Sequence, residues 1–383
     1  MGLVSTLFTA ATLASSASAL AIRATPTVEG FATGVTGGAG GSTVTPTTAE
    51  ELVSYLEDDQ ARVVYVNQHF DLRNYDGTTS GSGCAPWGTD TGCQLAINKD
   101  DWCTNYQPDA PTVSSITYYE AGLNPIEVAS DKSIIGVGSS GIIEGKGLRL
   151  ANGVKNVIIQ NIHVTNLNPQ YVWGGDAITL AGTDLVWIDH VKTSLIGRQH
   201  LVFGESASGR VTVSNCEFDG VTSWSATCDG RHYWTNYFTG SDDQITFKNN
   251  YIHDVSGRAP KVGGNTVLHA VNNYWYNAAH GFEIGSGGYV LVEGSVFQNV
   301  DAPEDTGSTR AGELYSVVGA SAASACSSNL GRSCQANAFG SSGTLDGEDS
   351  GVLSKFSGLS NIASASTAEV AKDVVNTAGF GKI

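Results

Sequence analysis

Hydrophobic and polar positions alternate along this chain in short runs rather than at helical spacing. The clearest runs are VIIQNIHV (157–164), VWIDHVKT (186–193), VTVSNCEF (211–218), ITFKNNYI (245–252), VLHAVNNYW (267–275) and VLVEGSVF (290–297). Alternation with a period of two predicts half-buried β-strands. Aligning the runs brings Asn161, His190, Asn215, Asn249, Asn272 and Gly294 to one common point, at steps of 29, 25, 34, 23 and 22 residues. Such steps are too long for hairpins, and no helical pattern fills them to make a crossover unit. A β-sandwich would space its strands about 8–12 residues apart. An irregular repeat with Asn at one bend predicts the coils of a parallel β-helix, with inward Asn side chains bonding from coil to coil. The unequal steps put insertions on one side, where a solenoid builds its binding face.

Segments outside the repeat refine this all-β picture. Residues 69–118 carry three cysteines, several aromatics and many Gly and Thr, which predicts a disulfide-pinned loop region packed on the solenoid. Thr48 to Asp58 places Leu52, Tyr55 and Leu56 on one helical face and acids on the other, the pattern of a short capping helix. The tail after Ser350 has further helical patches, chiefly 367–375. Residues 1–20 contain no Asp, Glu, Lys or Arg, and an apolar run leads into Ala17-Ser18-Ala19. That pattern predicts a secretory signal and a secreted, extracellular product. Residues 21–383 show no composition shift and are expected to form a single domain.

The formal charge of −17 disfavours nucleic acid, anionic membrane and densely anionic polymers as partners. A neutral ligand, or one with masked charges, fits better. No later stretch approaches the ~20 apolar residues of a membrane-spanning helix. The seven cysteines all lie beyond the signal segment. Export favours disulfides, and the odd count leaves one thiol free, while the spacing leaves the pairing open. Paired Cys-x-x-Cys or Cys/His groups that would bind zinc are lacking.

Candidate chemistry falls in three strings on successive coils. These are Trp173-Gly174-Gly175-Asp176-Ala177-Ile178, then Trp187-Ile188-Asp189-His190 followed by Gly197-Arg198-Gln199-His200, then Ser256-Gly257-Arg258-Ala259-Pro260-Lys261. Together they could line one groove. Here the chain resembles the fungal pectin lyases of the pectate lyase superfamily, over nearly its whole length. The resemblance is carried by VWGGDAIT, LVWIDHV, IGRQH, SATCDG, HYW, SGRAPKV and VLHAVNNYW. It implies a right-handed parallel β-helix and a β-eliminative, calcium-independent enzyme acting on methyl-esterified pectin. It also implies that Arg258 is the catalytic arginine, with Asp176, Arg198 and Lys261 as its partners and no cofactor or metal. By the same resemblance the disulfides are Cys84 with Cys103, Cys93 with Cys228, and Cys326 with Cys334, leaving Cys216 free. The protein is expected to act as a monomer.

The chemistry agrees with that implication. Elimination removes the C5 proton of a uronate, and the adjoining carbonyl must take up charge. A free carboxylate resists this unless calcium ions offset it. A methyl ester does not, so cationic side chains near its carbonyl oxygen suffice. Arg198 stands where calcium-dependent relatives present acids, and Asp176 is expected to pair with it. Arg258 either takes the proton, helped by burial or by Lys261 nearby, or stays charged and stabilises the enolate. Trp87, Trp102, Trp173, Tyr233 and Trp234 are expected to stack on sugar rings, with core packing the alternative for each one singly. His190 and His200 are expected to be structural. A calcium-dependent pectate lyase, a hydrolase and a non-catalytic binding module are the rivals. For a hydrolase, the adjacent Asp242 and Asp243 would point to opposite faces.

Overall fold

A computed structural model describes residues 27–383 apart from 306 and 308. The expected signal segment lies outside the described residues. The strands stack in parallel, coil on coil, into three walls of a β-helix. The first wall runs through Arg62–Val66, Lys132–Gly136, Gly209–Ser214, Asp243–Lys248, Thr266–Val271, Gly288–Glu293 and Glu313–Ser316. It also takes in the ends of the long strands Leu148–Gln160 and Ile178–Asp189. The second wall includes Ile142–Glu144, His163–Leu167, Lys192–Ile196, Glu217–Asp219, Tyr251–His253 and Val296–Glu304. The third includes Leu201–Phe203, Asn236–Phe238 and Lys261–Val262 beside the starts of those two long strands.

Register is set by the alternation that the sequence displays. Val157, Val186, Val211, Ile245, Leu268, Val290 and Leu314 lie side by side across the first wall, and each is fully buried. Burying one such side chain contributes about 1.5–3 kcal/mol, and a slip of one residue would turn the whole file outward. Stacked rings, such as Trp275 on Phe297 with centroids 4.7 Å apart, continue the core.

The aligned Asn, His and Gly residues form the bend between the first and second walls. Asn161, His190, Asn215, Asn249, Asn272 and Gly294 all have φ between +50° and +60°, the left-handed region that Asn and Gly tolerate best. A second, continuous coil-to-coil ladder sits one residue further on. Asn250, Asn273 and Ser295 are fully buried, and the amide N–H groups of Asn250, Asn273 and Ser295 donate in turn to Asn273 Oδ1, Ser295 Oγ and Asn337 Oδ1 at 2.9–3.1 Å. The bend residues bond across coils as well, Asn161 Nδ2 to Gly136 O at 2.9 Å and Asn272 Nδ2 to Gly294 O at 2.8 Å, so two adjacent rows tie each coil to the next.

Residues 69–118 are more ordered than expected. His69–Asp71 belongs to the second wall. Thr78–Cys84 and Thr112–Tyr119 pair antiparallel, with Leu95–Ile97 and Tyr171–Val172 completing a small separate sheet. The helix Ala49–Glu57 starts at Thr48, whose hydroxyl accepts from the Glu51 amide, and buries Leu52 and Leu56. The tail forms the short helices Ala368–Ala371 and Val374–Thr377. The three disulfides join the pairs implied by the resemblance, and Cys216 is free and buried. Among the described residues no helix is long and apolar enough to cross a membrane.

Candidate active site

The third wall carries an outward file in continuous register: Glu127, Arg149, Thr179, Val202, Tyr237, Lys261 and Glu283. Three or four residues upstream of this file the chain enters the wall, and the candidate side chains lie on that approach. Asp176 precedes Ile178–Asp189, Arg198 precedes Leu201–Phe203, Tyr233 and Trp234 precede Asn236–Phe238, and Arg258 precedes Lys261–Val262. Backbone bonds lock neighbouring entries together, Arg198 N–H to Gly175 O at 3.0 Å and Asn236 N–H to Arg258 O at 2.7 Å. Gly175 has φ +132°, and a Cβ there would lie 2.1 Å from Gly122 O, so only glycine lets this entry close.

Asp176 Oδ1 accepts the Gln199 amide at 2.8 Å, while Oδ2 lies 3.8 Å from Arg198 Nη1. The expected pair therefore forms as a loose ion contact, and the tighter bond goes to backbone. What holds Arg198 flat is Trp173, whose ring lies 4.0 Å below the guanidinium carbon, a cation–π contact. Burial, and behind it the charge of Arg258, draws the Arg198 guanidinium below its ordinary value, against the opposing pull of Asp176. Burial pushes the Asp176 carboxyl up, with Arg198 opposing. His232 fixes the same turn from beneath. Its Nε2–H donates to the carbonyls of Arg198 at 2.6 Å and Trp234 at 3.2 Å, and burial holds its pKa down at about 4.

Arg258 lies in the left-handed region at φ +47°. Its guanidinium carbon is 4.8 Å from the Trp234 ring, 5.3 Å from Tyr237 and 5.7 Å from Tyr233. Gly257 permits this closeness, since a Cβ there would lie 2.4 Å from the Tyr233 ring. Lys261 does not stand free beside Arg258. Its ammonium is bound by Glu283, whose second oxygen lies 3.9 Å from Arg258 Nε.

The expected aromatic residues do converge. Trp87 lies 6.4 Å from Trp102 and 5.7 Å from Trp234, Trp102 lies 5.9 Å from Trp173, and Tyr233 lies 4.9 Å from Trp234. Trp87, Trp102, Trp173 and Trp234 rest half-buried on the cluster around the Cys84–Cys103 disulfide, so both packing and ligand stacking are open to them. Trp234 Nε1–H donates to Gln94 Oε1 at 3.1 Å. A cleft of about 390 Å³ extends from Asp176 and Arg198 past Trp173 to Arg149, Glu127 and Lys99.

One of the three strings does not lie where it was expected, while His190, His200, Asp242 and Asp243 behave as expected. Trp187-Ile188-Asp189-His190 does not reach the groove. It lies at the first bend, where Asp189 is buried and accepts from Gln160, Ser214 and Asn215 and bonds His190 Nδ1. Asp242 and Asp243 point apart, Asp242 exposed and Asp243 buried against the amides of Ser208 and Gly240. His200 is buried with Nδ1 on Thr193. Sequence reasoning missed Glu283 and His232. His232 stood inside the quoted HYW string, and Glu283 was legible only as the outward position of GFEIG in the third-wall register.

Calcium chemistry needs several carboxylates free to converge on one ion. In this groove Asp176 faces Arg198 and Glu283 holds Lys261, so the donor set does not fit. Among the described residues, the grouping of metal-ligating type is Glu217, Asp219 and His253 on the second wall. There the ammonium of Lys192 lies 2.8 Å from both carboxylates.

These features define a β-helical protein with a cation-lined, aromatic-walled groove suited to an extended ligand. A family model described as pectate lyase matches residues 114–383, and the chain belongs to that family. It is 58% identical to a probable pectin lyase A of Aspergillus fumigatus, over 98% of this chain and 99% of that protein. It is 59% identical to pectin lyase B of Emericella nidulans, over 97% of each. Among solved structures, a Bacillus pectate lyase in complex with trigalacturonate superposes with a TM-score of 0.60 at 20% identity, covering 92% of this chain and 99% of that one. A Paenibacillus pectate lyase gives 0.60 at 15% identity, covering 93% and 96%.

Proposed function

We propose that this chain is a secreted, monomeric pectin lyase that cuts methyl-esterified polygalacturonan by calcium-independent β-elimination. The near full-length identity to pectin lyases supports the activity. The observation that carries the ester preference is the pairing within the groove, where each carboxylate is committed to a cation. Guanidinium groups rather than a metal then meet the developing charge, and a neutral ester is the substrate such groups can activate. Arg258, having first given a proton to water, takes the C5 proton onto its neutral guanidine nitrogen and leaves the step as guanidinium. The electrons of the C5–H bond form the C4=C5 double bond as the C4–O bond breaks, and the leaving oxygen takes a proton from water. Arg198, held by Trp173 and Asp176, faces the ester carbonyl while charge accumulates there. The half-buried rings beside Arg258 take the faces of neighbouring sugars.

The test follows the ultraviolet absorbance of the unsaturated product, on highly esterified pectin and on de-esterified polygalacturonate, with and without EDTA. A rise on pectin that EDTA leaves unchanged is expected. A rise on polygalacturonate alone, abolished by EDTA, would replace this reading with that of a calcium-dependent pectate lyase.

A further inference from the structure

Glu283 lies at the far end of the outward file, directly beside Lys261 on the adjacent coil. Its carboxylate does two things at once. Oε1 binds the Lys261 ammonium, and Oε2 lies 3.9 Å from Arg258 Nε. The three side chains are similarly enclosed, Arg258 at 20% exposure, Lys261 at 26% and Glu283 at 18%. Arg258 Nε is buried and has no hydrogen-bond acceptor among the described residues. Its other close neighbours are the rings of Tyr233, Trp234 and Tyr237. One carboxylate thus binds Lys261 and faces the Arg258 guanidine group at the reacting end of the groove.

The opposite end of the file offers a comparison. Glu127 and Arg149 pair there in the same register, 2.8 Å apart, but Glu127 is 53% exposed and the pair stands away from Arg258. Water screens such a pair, whereas charges enclosed together act on each other and on any ligand at much closer to full strength. A substrate carboxylate arriving beside Arg258 would find Lys261 already bound and a fixed negative charge alongside it. A methyl ester would meet no such repulsion. Selectivity of this kind comes from the penalty on the wrong ligand as much as from contacts to the right one.

We propose that Glu283 is a positioning and specificity-determining residue that ties Lys261, aligns Arg258 and turns away substrate units with a free carboxylate. The proposal rests on the reading of the chain as a pectin lyase, and its test separates the two. The full-length protein is compared with its Glu283→Gln and Glu283→Asp variants. Binding of de-esterified oligogalacturonate, followed by intrinsic tryptophan fluorescence, is measured alongside kcat and KM on pectins of high and low esterification. Glu283→Gln releases Lys261 and removes the repelling charge. Its affinity for the de-esterified oligomer should rise about 10-fold, and its preference in kcat/KM for high over low esterification should fall by a similar factor. Glu283→Asp keeps the charge at a shorter reach, so it should lower kcat while retaining the preference. Unchanged affinity and unchanged preference in Glu283→Gln, with only kcat reduced, would overturn the proposal. If the glutamine variant does not fold, Lys261→Met reads the same interaction from the other side. It leaves Glu283 unpaired and should weaken binding of the de-esterified oligomer, and equal or tighter binding would overturn the proposal. Lack of unsaturated product from the unmodified protein would count against the lyase reading alone, because the binding measurement does not depend on turnover.

Discussion

Two rows of polar side chains run along this solenoid, and they are built to opposite standards. At the bend between the first and second walls the buried ladder is complete. Asn250 Nδ2 donates to Val213 O and Asn273 Oδ1, Asn273 Nδ2 to Phe247 O, and Asn337 Nδ2 to Val292 O. Behind the groove, buried polar atoms stand without protein partners among the described residues. They include both side-chain polar atoms of Gln199 and of Asn236, together with His200 Nε2, Trp173 Nε1 and Arg258 Nε. Native interiors contain few such atoms, and here several lie on consecutive coils of one wall. A completed row fixes coil spacing and stabilises the fold. In the incomplete one, Arg258 keeps its Nε–H without an acceptor among the described residues at the groove, above the fully buried Gln199, His200 and Asn236. The solenoid separates these tasks by assigning them to different corners of each turn.

Substitutions in the two rows should therefore have opposite signatures. The largest expected effect is on activity alone. Arg258→Lys should reduce kcat on esterified pectin by about 10²–10⁴-fold, with the thermal midpoint and oligomer affinity nearly unchanged. Equal losses in midpoint and kcat would break the distinction between the rows. Next comes Glu293, buried two residues before the ladder's Ser295, where it accepts from Arg332 and His269. Against the cost of burial, these partners hold its carboxyl down at about 2. Its contribution is present above pH 4.5 and is lost as pH falls from there towards 2. Glu293→Gln should cost about 3–5 kcal/mol near neutrality, and its unfolding free energy should depend less on pH across that window. Asn273→Leu should cost about 1–3 kcal/mol by orphaning its ladder partners, read in chemical denaturation, with kcat unchanged. The smallest change is expected for Asn236→Leu. Removing an amide with no partner should leave stability the same or slightly higher, and a loss like that of Asn273→Leu would show that the groove row is satisfied after all.

Much of this was legible in the sequence where one residue type answers to one physical demand. The left-handed bend tolerates few residues, so Asn161, Asn215, Asn249 and Asn272 mark the coil period themselves. The alternation around them shows which side faces inward. The strings holding Asp176, Arg198 and Arg258 stood out together on successive coils, and the roles of these residues were what the resemblance to pectin lyases implied. Other features left no such trace. Bonding across coils was expected at the bend residue and occurs there, but the continuous ladder of Asn250, Asn273 and Ser295 one position later was not foreseen. Glu283 pairs with Lys261 across coils, and contacts between coils have no fixed spacing when the steps vary. The small sheet made by 78–119 with 171–172 joins segments far apart in the chain, and neither partner signals the other. Asp189 and His190 carry the chemistry of a site but serve a bend, since which wall a residue occupies is decided by coil geometry.

Cys216 belongs to the completed row, its amide donating to Asn250 Oδ1 at 2.9 Å and its sulfur 3.2 Å from Ser214 O. It is 1% exposed, and burial pushes its thiol well above the ordinary value. The other six cysteines are held in disulfides. The molecule therefore carries one natural label, silent to thiol reagents while the coil is closed and reactive once it opens. The modification rate at this single atom reports how often the middle of the solenoid comes apart, with no engineered probe and no disturbance of the groove.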